Sequence, residues 1–311
     1  FKALVPLLSD SPKRIMVPIS QDGAFGTASA EESHLLGSFP AGFVRSLRLE
    51  LPECRFQLID CGQLPWEKGL ARLVDKVSNA LEIGITDFGL VKPALARMAK
   101  PQQAVSPLSA NDWLLVTGGA RGIVFECVMA LAKETNCKLL LTGRTPMPEG
   151  SPAYLTATPD TIADAIRAHE IDLVRNQGMK MGDAKRAGSK AKAQWEVKRN
   201  LQRLAEAGIE ARYEICDVSD AEAITELVER FGADAISGVV HGAGIQKSNL
   251  LHELSDDQIT ATIATKLTPM FALLDCLDWS QIKLLSLFSS ITGLFGNAGQ
   301  TDYALGNDLI N

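Results

Sequence analysis

The sequence predicts an α/β fold, and three observations carry that reading. Apolar runs of strand length alternate with helix-patterned stretches along the chain. One run, Trp113 to Val116, passes directly into Thr117-Gly118-Gly119-Ala120-Arg121-Gly122 and then into a helical apolar pattern. A second unbroken run, Lys138 to Leu141, ends in Thr142-Gly143-Arg144. Parallel strands covered on both faces read as unbroken apolar runs, so the second half is expected to be a doubly wound parallel sheet.

In chain order, residues 1 to about 100 give strands at Arg14 to Ile19 and Arg55 to Asp60, with helices at Glu31 to Leu36, Ala41 to Leu51 and Leu70 to Leu81. No glycine-rich phosphate loop accompanies them. Asp87-Phe88-Gly89 matches a kinase tripeptide but lacks its companion motifs, and reads as a strand end. The polar, proline-bearing stretch from Lys100 to Asp112 marks a boundary, giving domains 1–104 and 105–311.

The glycine stretch comes next. Glycines between a strand and a helix let the backbone turn tightly and approach a pyrophosphate at the positive end of the helix. A turn without a ligand also uses glycine, so it is the flanking strand and helix that point to a dinucleotide. The candidate contacts are Thr117, Gly118, Gly119, Ala120, Arg121, Gly122 and Ile123. The spacing resembles the T-G-x-x-x-G-x-G pattern of short-chain dehydrogenases, with Val124 where the last glycine stands. That departure leaves tight packing of helix on strand unsupported at this turn. At the end of the second strand an acidic residue would accept from the ribose of NAD, whereas Arg144 suits the 2′-phosphate of NADP. The alternative for Arg144 is a solvated surface position.

Beyond Thr145 to Gly150, residues 158 to 207 read as a charged helical excursion broken near Gly178 to Gly188, its basic run Lys180 to Lys198 forming a solvated face. A strand at Ala211 to Cys216 ends in Asp217-Val218. Asp217 either contacts the adenine edge or caps the helix beginning at Asp220 to Glu222. Ala235 to Val240 is the fourth strand, and His241-Gly242-Ala243-Gly244 at its end lets backbone lie against a nucleotide. A helix holding Lys266, a fifth strand at Lys283 to Ser289, and the closing stretch Ser290 to Asn311 complete the chain.

Bulk properties narrow the function classes. The 311 residues are 46% apolar and 22% charged, an ordinary globular composition. A net charge of −6 argues against a nucleic-acid surface. No apolar run spans a bilayer and the amino terminus lacks a signal peptide's layout, so a cytoplasmic protein without a membrane partner is expected. The six cysteines show no C-x-x-C spacing and the four histidines are scattered, which indicates neither disulfides nor a metal. The chain starts with Phe1 and stops in a helical pattern, as a segment of something longer would.

The closing stretch carries the chemistry. Ser290 stands thirteen positions before Tyr303, and Asn307 four after it. A tyrosine opening a helix and a hydroxyl from the preceding strand end supply two O–H groups able to converge on one carbonyl oxygen. With Ala41-Gly42-Phe43-Val44-Arg45-Ser46-Leu47, the Thr117-Gly118-Gly119 turn, His241-Gly242-Ala243-Gly244 and the F-S-S-x-x-G-x-x-G-x-x-G-Q-x-x-Y-x-x-x-N ending, the chain resembles the ketoreductase domains of polyketide and polyunsaturated fatty acid synthases. The resemblance covers nearly the whole sequence. The helical excursion and the Gly-Ala-Arg-Gly turn look most like the polyunsaturated type.

The resemblance implies two Rossmann-like halves, a truncated nucleotide-free structural subdomain and a short-chain dehydrogenase subdomain. It makes Tyr303 and Ser290 the catalytic hydroxyls, Lys266 the lysine from the preceding helix, and Asn307 the asparagine that holds Lys266 or a water. It implies NADPH, and a substrate presented as a 3-oxoacyl thioester on an acyl carrier protein, with other synthase domains as partners. The family's Leu-Asp-Asp marker is replaced by Gln246-Lys247-Ser248. Other readings are a stand-alone dehydrogenase for small ketones or alcohols, which the Asn307 exchange opposes, and a silent scaffold, which intact Ser290, Tyr303 and Lys266 oppose.

Overall fold

The computed structural model describes residues 5–9, 13–26, 41–73, 79–97 and 106–310. The chain forms two compact units. One gathers Phe1–Ala104, Gly244–Leu267 and Ser289–Asn311; the other gathers Val105–Ala243 and Thr268–Phe288.

In the first unit, α1 (Val5–Ser9) precedes β1 (Arg14–Ile19), α2 (Ala41–Glu50), β2 (Arg55–Asp60), α3 (Trp66–Ala71), β3 (Glu82–Thr86) and β4 (Gly89–Val91). The sheet order is β1-β2-β3-β4, parallel except for the last pair. Asp87 and Phe88 are the turn of the β3–β4 hairpin, the strand-end role expected of them. Val44 and Leu47 of α2 pack with Phe56 and Leu58 of β2, while Ile59, Ile83 and Ile85 form a second core with Leu70. Alternate residues of one strand thus serve two faces.

One expectation shifts here. The helix expected over Leu70 to Leu81 instead begins at Trp66, after Pro65, whose ring already sets a helical φ of −51°. Residues 74–78 of that expectation, the helix at Glu31 to Leu36, and 100–105 of the boundary stretch lie outside the described residues.

The second unit holds β5 (Trp113–Thr117), α4 (Gly122–Thr135), β6 (Lys138–Gly143), α5 (Ile162–Arg175), α6 (Met181–Glu206), β7 (Ala211–Ile215), α7 (Ala221–Phe231) and β8 (Ile236–His241). After α8 (Asp256–Cys276), β9 (Leu284–Leu287) completes an all-parallel sheet of order β7-β6-β5-β8-β9. The strand order reverses at β5, and in such sheets ligands bind beyond the carboxyl ends of the strands at that point.

Both faces of this sheet are covered, which is why its strands read as unbroken apolar runs. Leu114, Val116, Leu139 and Leu141 pack under α4 with Phe125, Val128 and Met129, and Val197 and Leu204 of α6 join them. Trp113, Leu115 and Leu140 face the other way, toward Ile224, Leu227 and Val228 of α7 and Leu273 of α8. Each fully buried aliphatic side chain contributes roughly 1.5 to 3 kcal/mol.

The excursion is a pair of helices. Its break is narrower than expected, at Gly178 (φ 69°), because Gly188 is a buried position inside α6 facing Glu170 of α5. The chain closes with α9 (Ile291–Phe295) and α10 (Thr301–Asp308), which belong to the first unit. The expected single unit from 105 to 311 is therefore divided differently. Asp308 of α10 is ion-paired with Arg45 of α2 at 2.6 Å and accepts from the Gly42 amide at 2.8 Å, which ties the carboxy-terminal helices to the amino-terminal sheet.

Candidate functional site

In the second unit, the turn after β5 is shaped by its glycines. Gly118 has φ 68°, and a Cβ there would lie 2.9 Å from Ala243 Cα, so only glycine allows β5 and the end of β8 to meet. Gly122 has φ 64° and opens α4; a Cβ on it would meet nothing within 4 Å. Arg121, before α4, makes no side-chain cap. The first amides of this helix therefore have no side-chain cap from the residue before it. Ala120 is buried and Ile123 exposed.

Val124 replaces the third glycine of the expected pattern and still packs tightly. Its two methyls lie 2.5 Å from where a Cβ on Gly242 would be, so helix and strand end meet closely across a position that glycine leaves open. Thr117 Oγ1 accepts from the amides of Gly242 (3.2 Å) and Ala243 (3.4 Å) and is hydrogen-bonded to Nδ1 of buried His241 at 2.6 Å. Asn200 of α6 donates to the Ala120 carbonyl at 3.0 Å. Sequence reading missed Asn200, since nothing local distinguishes it from other polar helix residues.

Arg144 and Asp217 meet at the ends of β6 and β7, 3.6 Å apart and both more than a third exposed. Partial burial raises the Asp217 carboxyl, but bonds from the Ser219 hydroxyl and amide, together with Arg144, outweigh it and hold the group below its usual value. Asp217 does not cap α7, the second of its two expected roles. Asp220 does, accepting from the amides of Glu222 (3.0 Å) and Ala223 (3.4 Å). Val218 is buried in the core beside Cys216. The Tyr213 hydroxyl donates to Thr145 O (3.0 Å) and accepts from Thr145 N (3.2 Å), fixing the loop that carries Arg144.

The four expected catalytic residues all lie in the first unit. Tyr303 is the third residue of α10 and half-buried; its amide donates to Asp302 Oδ1 at 2.8 Å. Asp302, 2% exposed, also accepts from Thr262 of α8 at 2.8 Å. One turn along α8, Lys266 is 4% exposed, and its Cγ sits 3.5 Å from where Gly306 of α10 would carry a Cβ. Its Nζ lies near Gly244, 3.4 Å from that glycine's Cβ position. Two facing helices thus deliver a lysine to the turn between Tyr303 and Asn307. Burial lowers the Lys266 pKa from 10.5 to about 8.

Asn307 Nδ2 donates to Tyr303 O at 2.8 Å, and Ser289 Oγ donates to Asn307 O at 2.9 Å. Asn307 Oδ1 is buried with no hydrogen-bond partner among the described residues. Of the two partners expected for Asn307, Lys266 or a water, its Oδ1 takes no bond from Lys266, and this buried acceptor suits a water. Ser290 caps α9, accepting from Thr292 N at 3.2 Å and donating to Thr292 Oγ1 at 3.1 Å. No hydrogen bond joins the Ser290 and Tyr303 hydroxyls among the described residues. Gly244 is exposed.

The segment carrying Ser290 and Tyr303 is held by α2. Arg45 donates to Gly293 O (2.9 Å), Ser46 accepts from Asn297 N (3.0 Å), and Glu50 accepts from Gly299 N (3.1 Å) and Leu251 N (2.8 Å). Arg45 and Ser46 carry part of the sequence resemblance, which gives them no role. The available signal was Gly42 inside a helix, which marks a close approach: a Cβ on it would lie 2.6 Å from Ala304 O.

A model of the KR domain family matches residues 113–311. The chain belongs to the KR domain family. These are the ketoreductase domains of polyketide and polyunsaturated fatty acid synthases, within the short-chain dehydrogenase superfamily. This KR domain is 31% identical to a polyunsaturated fatty acid synthase polypeptide of Thraustochytrium sp. (strain ATCC 26185 / S-3), over 94% of the chain and 11% of the relative. It is 26% identical to polyketide synthase PksM of Bacillus subtilis (strain 168), over 86% of the chain and 5% of that protein. A ketoreductase domain from the bacillaene assembly line shares its fold with a TM-score of 0.67 at 20% identity, covering 99% of this chain and 62% of that one. The first ketoreductase of the tylosin synthase gives 0.68 at 23%, covering 96% and 55%. The KR domain spans only a small part of the curated relatives it matches. Among its described residues no helix is long and apolar enough to cross a membrane, and no cluster of residues is able to hold a metal.

Proposed function

We propose that this KR domain reduces the β-keto group of a 3-oxoacyl thioester, carried on an acyl carrier protein, to the β-hydroxyacyl thioester with NADPH. The observation that carries the reading is the docking of α8 on α10, which sets buried Lys266 against the Tyr303–Asn307 turn while Ser290 ends the neighbouring strand segment. The open glycine turn, with uncapped α4 amides, fits a dinucleotide pyrophosphate, and Arg144 suits a 2′-phosphate in charge and fork geometry.

Bound NADPH supplies the hydride that reaches the β-carbon. Negative charge then grows on the carbonyl oxygen, and Tyr303 gives its phenolic proton to that atom while Ser290 donates a second hydrogen bond. With a pKa of about 8, Lys266 is largely protonated at pH 7, and its ammonium stabilises the Tyr303 phenolate left behind. Asn307 Oδ1, buried and open, accepts from a water on the route by which a proton returns to Tyr303. Other domains of a synthase and the carrier protein are the partners this chemistry requires.

The test is NADPH oxidation with 3-oxoacyl thioesters, carrier-bound and on a small thiol, by the full chain and by Tyr303→Phe. The variant should keep NADPH affinity and slow the chemical step by at least about 10²-fold. Turnover of simple ketones but not of thioesters would favour a stand-alone dehydrogenase. Full activity in Tyr303→Phe would remove Tyr303 as the acid.

A further inference from the structure

Ser290 begins a directed chain of side-chain hydrogen bonds. Its hydroxyl donates to Thr292 Oγ1 (3.1 Å), the Thr292 hydroxyl donates to Gln300 Oε1 (3.4 Å), and Gln300 Nε2 donates to Ser248 Oγ (3.0 Å). Thr292 and Gln300 are 8% and 6% exposed, whereas Ser248 at the far end is exposed. The same Ser290 oxygen accepts from the Thr292 amide at 3.2 Å. One residue therefore grips Ser290 Oγ at two points, and Gln300 holds that residue's hydroxyl with its lone pairs toward Ser290.

A serine side chain has three staggered rotamers, and only the one held here keeps Oγ at the cap of α9. The grip leaves the proton movable. A carbonyl oxygen gaining negative charge is a stronger acceptor than the neutral Thr292 hydroxyl, so it draws the Ser290 proton by rotation about the C–O bond alone. Thr292 can then turn its own proton to Ser290 Oγ, and the oxygen stays where it was. Preorganised donors act through such fixed placement.

We propose that Thr292, itself oriented by Gln300, is a positioning residue that presets the Ser290 hydroxyl as the second donor to the substrate oxygen. The proposal rests on the reading of Ser290 as that donor. It acts where charge develops, so it belongs to kcat and not to binding.

The experiment measures kcat and KM for NADPH and a small-thiol 3-oxoacyl thioester in Thr292→Val, Thr292→Ser, Ser290→Ala and the Ser290→Ala/Thr292→Val pair. Valine keeps the branched shape and removes the hydroxyl. Thr292→Val should lower kcat about three- to tenfold, the range for one neutral hydrogen bond, with both KM values unchanged. Thr292→Ser should restore kcat, and Thr292→Val should have no further effect once Ser290 is alanine. Full activity in Ser290→Ala would overturn the donor reading and this proposal with it. A slow Ser290→Ala beside a fully active Thr292→Val, or an equal loss from Thr292→Val in both backgrounds, would overturn the positioning role alone.

Discussion

Lys266 keeps an ammonium at a site only 4% exposed, and burial brings its pKa down from 10.5 to about 8. The folded value lies below the unfolded one, so the fold bears the full cost of that charge below about pH 8. Stability gains as pH rises from about 8 to about 10.5, because the unfolded chain then holds more protons than the native one. Replacing Lys266 by methionine should raise stability near pH 7 by about 1 to 3 kcal/mol, an advantage that shrinks toward pH 10, while turnover falls. Thermal melts of both proteins at the two pH values check this; equal melting temperatures at pH 7 would show that burial of the charge costs nothing. Lys266 was singled out through the resemblance, which pairs an asparagine four after the tyrosine, here Asn307, with a lysine on the preceding helix. Its burial against Gly306 was not, since that contact depends on how α8 and α10 pack. The partners of Ser290 were hidden for the same reason: Thr292 and Gln300 are ordinary polar letters until α9 and α10 are folded.

At the scale of elements, α4 and the end of β8 pack closely although Val124 stands where the expected pattern has a glycine. The two Val124 methyls fill the space that Gly242 leaves. Gly242→Ala should therefore overpack the contact and cost about 1 to 3 kcal/mol. Adding Val124→Ala should recover part of that loss, so the double variant is more stable than the sum of the single losses predicts. Strictly additive losses in denaturant melts would mean the two residues do not share the space. The strands and helices of this unit were readable because β5 and β6 bury both faces and α4 carries a continuous apolar stripe. The contact between Val124 and Gly242 was not readable, as the two positions meet only through the parallel pairing of β5 and β8. Likewise, α6 looked like a solvated insertion by charge, yet its inner face sends Asn200 to the glycine turn after β5 and Val197 and Leu204 to the core.

Across the whole molecule, the polypeptide crosses between its two units four times. The sequence offered a boundary near residue 104, where composition changes, but no composition change marks 243, 267 or 288. Only contacts such as Arg45 with Asp308, whose side chains are 10% and 12% exposed, reveal that grouping. Arg45 also pairs with Glu82 at 2.6 Å, so two carboxylates depend on one guanidinium. Arg45→Met should cost about 3 to 5 kcal/mol, because it leaves buried charge uncompensated. Adding Asp308→Asn should return part of it, and chemical denaturation reads both. A loss below about 1 kcal/mol in Arg45→Met would show that the ion pair does not secure the unit. The same connectivity sets an order of events at the ribosome. Domains usually fold as they emerge, amino-terminal first, yet Asp308 is made 263 residues after Arg45. The first sheet stays incomplete while β5 to β8 are synthesised, and Arg45, already able to pair with Glu82, gains its second carboxylate only once the segment bearing Tyr303 and Asp308 has been made.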